Sequence, residues 1–444
     1  MKSENIWYQT LKLYVDRRVA VIFLMGFSCG IPLLLTASTL NIWLSQRGVQ
    51  YSEIGYMALT ALPYTLKFLW APFVDHLKLP FLTRWLGRRR AWLFLSQVIL
   101  IISIFCLGIV EPEKKLGTTA LLAFIVAFAS ATQDIVTLAY QTERLRSFQY
   151  GAGEAAGIFG YRLGLLLAGA GALYLAEFIS WNLVYVIMAM AINIGIVTTL
   201  LCEEPHPLIK KTERRKAHLL SWLYEAVICP FTNYMEQKSW LLLLLVMFFY
   251  KLGDNMIGNM QNLFYLDLGF SKTDIANASK IFGMWASILG GFAGGVLVVR
   301  HGMIKSLFYM AAIHGLGMFG YLILFYAGYN LPLLYATVAV EDITGGMRVT
   351  ALFAYQMTLC SPAYAATQFA LFTSIVHLGR VLCAAPSGWI IEQIGWGHFF
   401  ALSILSNIPV LVLVWWLSRT LGKSLFIFRK IKFWQTKALN FPSN

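Results

Sequence analysis

The sequence predicts an all-α polytopic membrane protein, twelve transmembrane helices arranged as two lobes of six. Three observations carry that prediction. First, 58% of the 444 residues are hydrophobic and 13% are charged, with a mean hydropathy of +0.65. A soluble domain carries about 25% charged residues, so this chain lacks the charge to coat a globule in water. Second, apolar runs of spanning length, about 20 residues each, recur along the whole chain. They do not alternate polar and apolar residues as barrel strands would, and a bilayer admits only helices or closed barrels. Third, the chain repeats itself at half its length.

A polar and aromatic stretch, 1–18, opens the chain and has no small-residue cleavage site, so it is not read as a cleavable signal. Trp7, Leu11, Tyr14 and Val15 recur there at helical spacing, which suits a helix lying in the membrane interface. Apolar runs near 19–44, 54–75, 91–110, 117–142, 155–176 and 181–201 make the first lobe. A charged stretch, 203–238, with KKTERRK at 210–216, then interrupts them. Runs near 239–266, 274–299, 304–328, 332–360, 365–391 and 396–418 make the second. The domain plan is therefore 1–202, a cytoplasmic linker 203–238, and 239–444 with a cytoplasmic tail.

Charge sets the expected orientation. Most of the 35 lysines and arginines fall on the termini, the linker and the connections of the same side, which the positive-inside rule places in the cytoplasm together with both chain ends. The net charge of +14 is thus topology and contact with anionic lipid, and gives no argument for nucleic acid. Six cysteines are scattered without a CxxC, and seven histidines show no metal-ligand spacing, so neither a disulfide framework nor a metal or other cofactor is expected. GAGEAA at 151–156 matches a dinucleotide fingerprint but follows no strand; small residues for close helix approach are the better reading. No GxSxG or Walker loop occurs, and the chain is not expected to be an enzyme.

The halves echo each other. At an offset of 221, Asn41, Gly48, Ser52, Glu53 and Ile54 meet Asn262, Gly269, Thr273, Asp274 and Ile275. At an offset of 215, Ala139-Tyr140-Gln141 meets Ala354-Tyr355-Gln356, and Gly164, Glu177 and Trp181 meet Gly379, Glu392 and Trp396. Six helices repeated in the same orientation suit the two-lobed major facilitator fold, whose substrate site lies near the midplane between lobes.

Polar residues inside apolar runs are expensive and face a cavity or a partner. At about 100° per residue, Ser130, Gln133, Asp134, Thr137, Tyr140 and Gln141 share one face of the fourth run, continuing to Glu143 and Arg144. That face reads as a cavity wall, or as hydrogen bonding between spans. In YKLGDNMIGNMQN, Lys251 and Asp254 stand at i,i+3, close enough to pair. In VEDITGGMRVTALFAYQ, Glu341, Arg348 and Tyr355 share one side, with Gly345-Gly346 able to bend the helix. A structural salt bridge is the alternative to a functional role for Lys251–Asp254 and for Glu341–Arg348. Arg162 sits in GYRLG, where Gly160 and Gly164 have GxxxG packing spacing.

LPYTLKFLWAPFVDHLKLPFLTRWLGRRRAWL at 62–93 is an expanded version of the inner-loop motif of major facilitator transporters, with Asp75 followed by Gly87-Arg88-Arg89-Arg90. With SATQDI at 130–135, GYRLG at 160–164, YKLGD at 250–254, GGM at 345–347 and ATQFALFTS at 366–374, it resembles the AmpG muropeptide permeases and the related acetyl-CoA transporters over nearly the whole chain. The resemblance implies proton-driven import of anhydro-muropeptides across the bacterial inner membrane. Another organic anion such as acetyl-CoA is the rival cargo, and a non-transporting sensor or scaffold the remote alternative. It also implies roles. Gln133, Tyr140, Gln141, Tyr355 and Gln356 suit sugars. Lys67, Arg162, Lys251, Arg348 and Arg380 are the bases available for carboxylates. Asp134, Asp254, Glu341 and Asp342 are the candidate proton carriers, Glu341 first. Asp75, Arg88, Arg89 and Arg90 belong to a gate. The chain departs from the family at Leu138 and Gln141, where an acid and a base are usual, at Arg348, where a small neutral residue is expected, and at Asp342, where an amide is.

Overall fold

The computed structural model describes residues 16–145, 149–205, 235, 240–359 and 365–421. The expected linker 203–238 and both chain ends lie almost wholly outside them. Every regular element among the described residues is helical, and nine helices there are long and apolar enough to cross a membrane. The helices fall on the apolar runs of the sequence. Leu121, Phe124, Ile158, Leu201, Leu289, Phe292 and Leu316 are among many large apolar side chains left exposed, the face a lipid-embedded bundle needs.

Where helices break, the sequence shows why. The segment 51–76 passes through Tyr51–Tyr56, a 3₁₀ stretch Met57–Ala61, Leu62–Leu66, a second 3₁₀ turn Lys67–Leu69, and Ala71–His76. Pro63 and Pro72 each stand in the first turn of a helix that follows a 3₁₀ stretch, and each lacks the N–H that would carry the i→i−4 ladder back across that junction. Trp240–Phe249 and Leu252–Asp267 are separated at Tyr250 and Lys251, Lys251 being non-helical at φ −113°, ψ 21°. Gly395, at φ 73°, ends one helix and begins the next within Ser387–Leu405. Arg88–Ile109 starts at Gly87, φ 86°, where the Glu204 side chain occupies the space of a Cβ. The backbone N–H groups of Arg89 and Arg90 donate to that carboxylate at 2.8 and 3.1 Å, supplying first-turn amides with the anionic partner they lack within the helix.

The repeat seen in sequence recurs as repeated contacts. A Cβ on Gly164 would overlap Phe27 O, and one on Gly379 would lie 2.7 Å from Phe248 O. Phe27 and Phe248 are related by the offset of 221, the two glycines by 215. Trp181 Nε1 donates to Gln46 Oε1 at 2.7 Å, and Trp396 Nε1 to Asp267 Oδ2 at 2.8 Å, again at the same two offsets. Trp43 packs on Tyr185 and Phe264 on Phe400, with centroids 4.9 and 4.7 Å apart.

A fourth matched pair crosses between the halves. Ser52 N donates to Glu392 Oε1 at 2.9 Å and Thr273 N to Glu177 Oε1 at 3.2 Å. Each half thus lends a glutamate to the start of a helix in the other. Around this exchange Tyr51 OH reaches Asp267 at 2.5 Å, Asn41 Nδ2 reaches Asn259 Oδ1 at 3.1 Å and Lys280 Nζ reaches Ser38 Oγ at 3.3 Å. Tyr174 bonds Asn277, and Lys272 bonds Ala176 O. These contacts gather at one end of the bundle, the end away from Arg17, Arg88, Arg144 and His301. At the opposite end no hydrogen bond or ion pair joins the halves among the described residues. The molecule is closed at one mouth.

Candidate substrate site between the halves

Beneath the closed mouth, charged side chains from both halves meet. Lys67 stands on the 3₁₀ turn of the first half, its Nζ 3.7 Å from Asp134 Oδ2 of the Leu116–Arg144 helix. From the second half come Lys251, at the helix break, and His377 and Arg380, one turn apart on Ala365–Ala384. Arg380 interacts with Tyr161 of the first half, and His377 feels Arg380, Lys67 and Lys251. His377 and Arg380 remain exposed, as expected of side chains that face a space between the halves, called the chamber below. Neither Lys251 nor Arg380 has an ion pair or a side-chain hydrogen bond among the described residues. Lys67, Lys251 and Arg380, far apart along the sequence, therefore gather around His377.

Asp254 is held differently from either pairing the sequence suggests. Its Oδ1 accepts from Arg348 Nη1 at 2.7 Å and lies 2.8 Å from His314 Nε2. His314 Nδ1 is 2.8 Å from Thr344 Oγ1, on the same Leu331–Leu359 helix as Arg348. The guanidinium also lies over the Tyr250 ring, 4.7 Å from its centroid. The Lys251–Asp254 pair does not form, because Lys251 is outside the helix and the i,i+3 stacking is lost. The Glu341–Arg348 pair does not form, because Asp254 has taken the arginine. Glu341 is partly exposed and interacts with Asp342, His314, Asp254 and Lys251. Asp342 lies against Gly283 and interacts with Lys280. The Leu331–Leu359 helix runs through Gly345-Gly346 unbroken, and Gly346 lets it approach Ser287 O, where a Cβ would overlap.

The polar face of Leu116–Arg144 divides. Gln133 is fully buried and donates to Ser28 Oγ at 3.1 Å; Thr137 is 3.5 Å from Cys29 Sγ; Tyr140 OH donates to Glu203 O at 2.9 Å. These are bonds between spans of the first half, the alternative the sequence leaves open. Asp134 reaches the chamber instead, and Leu138, one turn on, is 59% exposed. Gln141 is partly buried beside Gly157. Tyr355 and Gln356 are buried within the second half, so the two repeated tripeptides do not share one cavity here. Arg162 is partly buried.

Arg88 and Arg89 both pair with Glu143, at 3.4 and 2.6 Å, and Arg90 donates to Thr199 O and Leu200 O at 2.8 and 2.6 Å. In this conformation the basic run stitches the first half to itself. The side chain of Asp75 lies outside the described ones. Sequence reasoning missed His314, His377 and Lys280. Each is a lone ionisable residue in an apolar run, the criterion already applied to the acids.

Fold comparisons agree with the helical architecture. The chain superposes on the nucleoside transporter NupG with a TM-score of 0.67 at 13% identity, covering 90% of this chain and 99% of that one. On a D-xylose-proton symporter the TM-score is 0.66 at 12% identity, covering 89% and 96%. The fold is that of the major facilitator transporters. In sequence, the family described as Acetyl-coenzyme A transporter 1 matches residues 19–140. An anhydromuropeptide permease of Escherichia coli K12 is 35% identical over 409 residues, 91% of this chain and 81% of that protein. The chain belongs to the AmpG permease family. A putative transporter AmpG 4 of Rickettsia felis is 33% identical over 413 residues, 92% of this chain and 98% of its own length. The permease family makes this a multi-pass membrane transporter.

Proposed function

We propose that this permease imports anhydro-muropeptides from the periplasm to the cytoplasm across the bacterial inner membrane, driven by the proton gradient. The observation that carries the cargo is the likeness to the Escherichia coli permease over 91% of the chain. The chamber supports it, since sugar-peptide cargo needs cations for carboxylates as well as polar neutral groups. Lobes 1–202 and 239–444 rock about the site, and Asp75 with Arg88, Arg89 and Arg90 guards the cytoplasmic mouth. By the positive-inside rule the end that holds Arg17, Arg88, Arg144 and His301 is the cytoplasmic one, so the sealed mouth is the periplasmic one.

Glu341 is the proposed proton carrier. It is partly exposed and interacts with Lys251, so cargo that engages Lys251 also alters the surroundings of Glu341. Glu341→Gln is expected to abolish pH-driven accumulation while leaving gradient-free exchange intact. Accumulation by the variant under an inward proton gradient would transfer the role to Asp134, Asp254 or Asp342.

A second reading, an acyl-CoA as cargo, is favoured by the acetyl-CoA transporter match over 19–140. Uptake of labelled anhydro-muropeptide and of labelled acetyl-CoA into proteoliposomes, with and without a pH gradient, separates the two. Accumulation of acetyl-CoA alone would sink the muropeptide reading.

A further inference from the structure

Charge bookkeeping inside the chamber leaves a remainder. Lys67 has Asp134 as its counter-charge, and Arg348 has Asp254. Lys251 and Arg380 have none within ion-pair distance among the described residues, and they come from segments in close contact: a Cβ on Gly379, next to Arg380, would lie 2.7 Å from Phe248 O, three residues before Lys251. Like charges held together within protein walls oppose the fold, and an unpaired cation there loses hydration without compensation. Packing does not explain the pair. Among the described residues Arg380 is exposed with its planar fork of donors unused, and Lys251 sits at a helix interruption where its side chain makes no hydrogen bond. His377, beside both, is exposed as well and adds a further nitrogen. The acids that act on Lys251 are Asp254, already bonded to Arg348 and His314, and Glu341.

We infer that Lys251, Arg380 and His377 form an anion subsite that binds a cargo segment carrying two negative charges, with Lys67 facing it from the other half. This deepens the proposed function and rests on the chamber being the cargo path. Arg380 takes one carboxylate through two parallel N–H donors, and Lys251 takes the second charge. The subsite is therefore blind to the neutral sugars and reads the acidic end of the molecule. Because Glu341 also acts on Lys251, an incoming carboxylate competes with it for the same cation. Binding the anion thereby changes the surroundings of the proposed proton carrier.

The test is equilibrium binding to the purified full-length protein. The probes are an anhydro-muropeptide with free peptide carboxylates, the same fragment with those carboxylates amidated, and a simple acidic dipeptide. The wild type is expected to prefer the free acid to the amide by about tenfold. Lys251→Gln and Arg380→Gln are each expected to remove most of that preference while leaving the amide's affinity within about twofold. Arg380→Lys, which keeps the charge but not the fork, should recover part of it. Equal affinity of the wild type for acid and amide, or equal loss of both in the variants, overturns the subsite and leaves the muropeptide reading standing. If the acidic dipeptide binds and the variants release it while neither muropeptide form binds, the subsite stands and the muropeptide reading falls. Binding of none of the three probes overturns the subsite.

Discussion

Arg348 is 0% exposed and its charge is met by one carboxylate oxygen and one aromatic face. Its Nε and Nη2 have no hydrogen-bond partner among the described residues. A buried pair of this kind is costly to break from one side, because the survivor keeps its charge without its partner. Arg348→Gln is expected to destabilise the protein by about 3–5 kcal/mol, and Asp254→Asn added to it should restore part of the loss. Thermal unfolding in detergent reads both, and an unchanged midpoint for the single variant would refute the account. At this scale the sequence was only half legible. Arg348 and Asp254 were visible as ionisable residues in apolar runs, but their pairing joins positions 94 apart, and the histidine's contact positions 60 apart. Helical periodicity speaks only of neighbours within a few turns. The same limit explains Gln133. Its polarity was plain, yet whether it faced a chamber or Ser28 depended on how a neighbouring helix sits.

Elements were more legible. The apolar runs became helices because lipid leaves the backbone no alternative. GxxxG spacing at Gly160 and Gly164 anticipated the close approach to Phe23 O and Phe27 O. Gly345-Gly346 is ambiguous in sequence for a physical reason: a glycine pair serves equally as a hinge or as a contact surface, and the contact of Gly346 with Ser287 O depends on the opposing helix. Since a methyl group would overlap Phe27 O more severely than Phe248 O, Gly164→Ala should cost more stability than Gly379→Ala. Folded yield and thermal midpoint, measured side by side, check the order. The reverse order would mean that the first half relaxes more readily than its repeat.

For the whole molecule, the closed mouth depends on contacts that both halves supply. Glu177 and Glu392 cap each other's opposite half, so removing both charges weakens the seal twice at sites related by the repeat. The double variant Glu177→Gln, Glu392→Gln is expected to shift the population toward opening at that mouth, with each single variant intermediate. Labelling of cysteines introduced on chamber walls, from the side of the closed mouth, would report it. Unchanged labelling in the double variant would show that Tyr51–Asp267, Asn41–Asn259 and their neighbours hold the mouth without the glutamates. The two offsets, 221 and 215, were visible in sequence; that one matched pair crosses between the halves was not, since an offset says which residues correspond and nothing about which touch.

That crossing has a consequence for symmetry. Glu177 and Ser52 lie on the first half, Glu392 and Thr273 on the second, so each half carries both the carboxylate it gives and the amide it needs. A surface with both parts of one bond is self-complementary, the condition for a symmetric dimer of identical chains. The seal therefore has the bonding scheme of a symmetric dimer, with two repeated halves of one chain in the place of two identical chains.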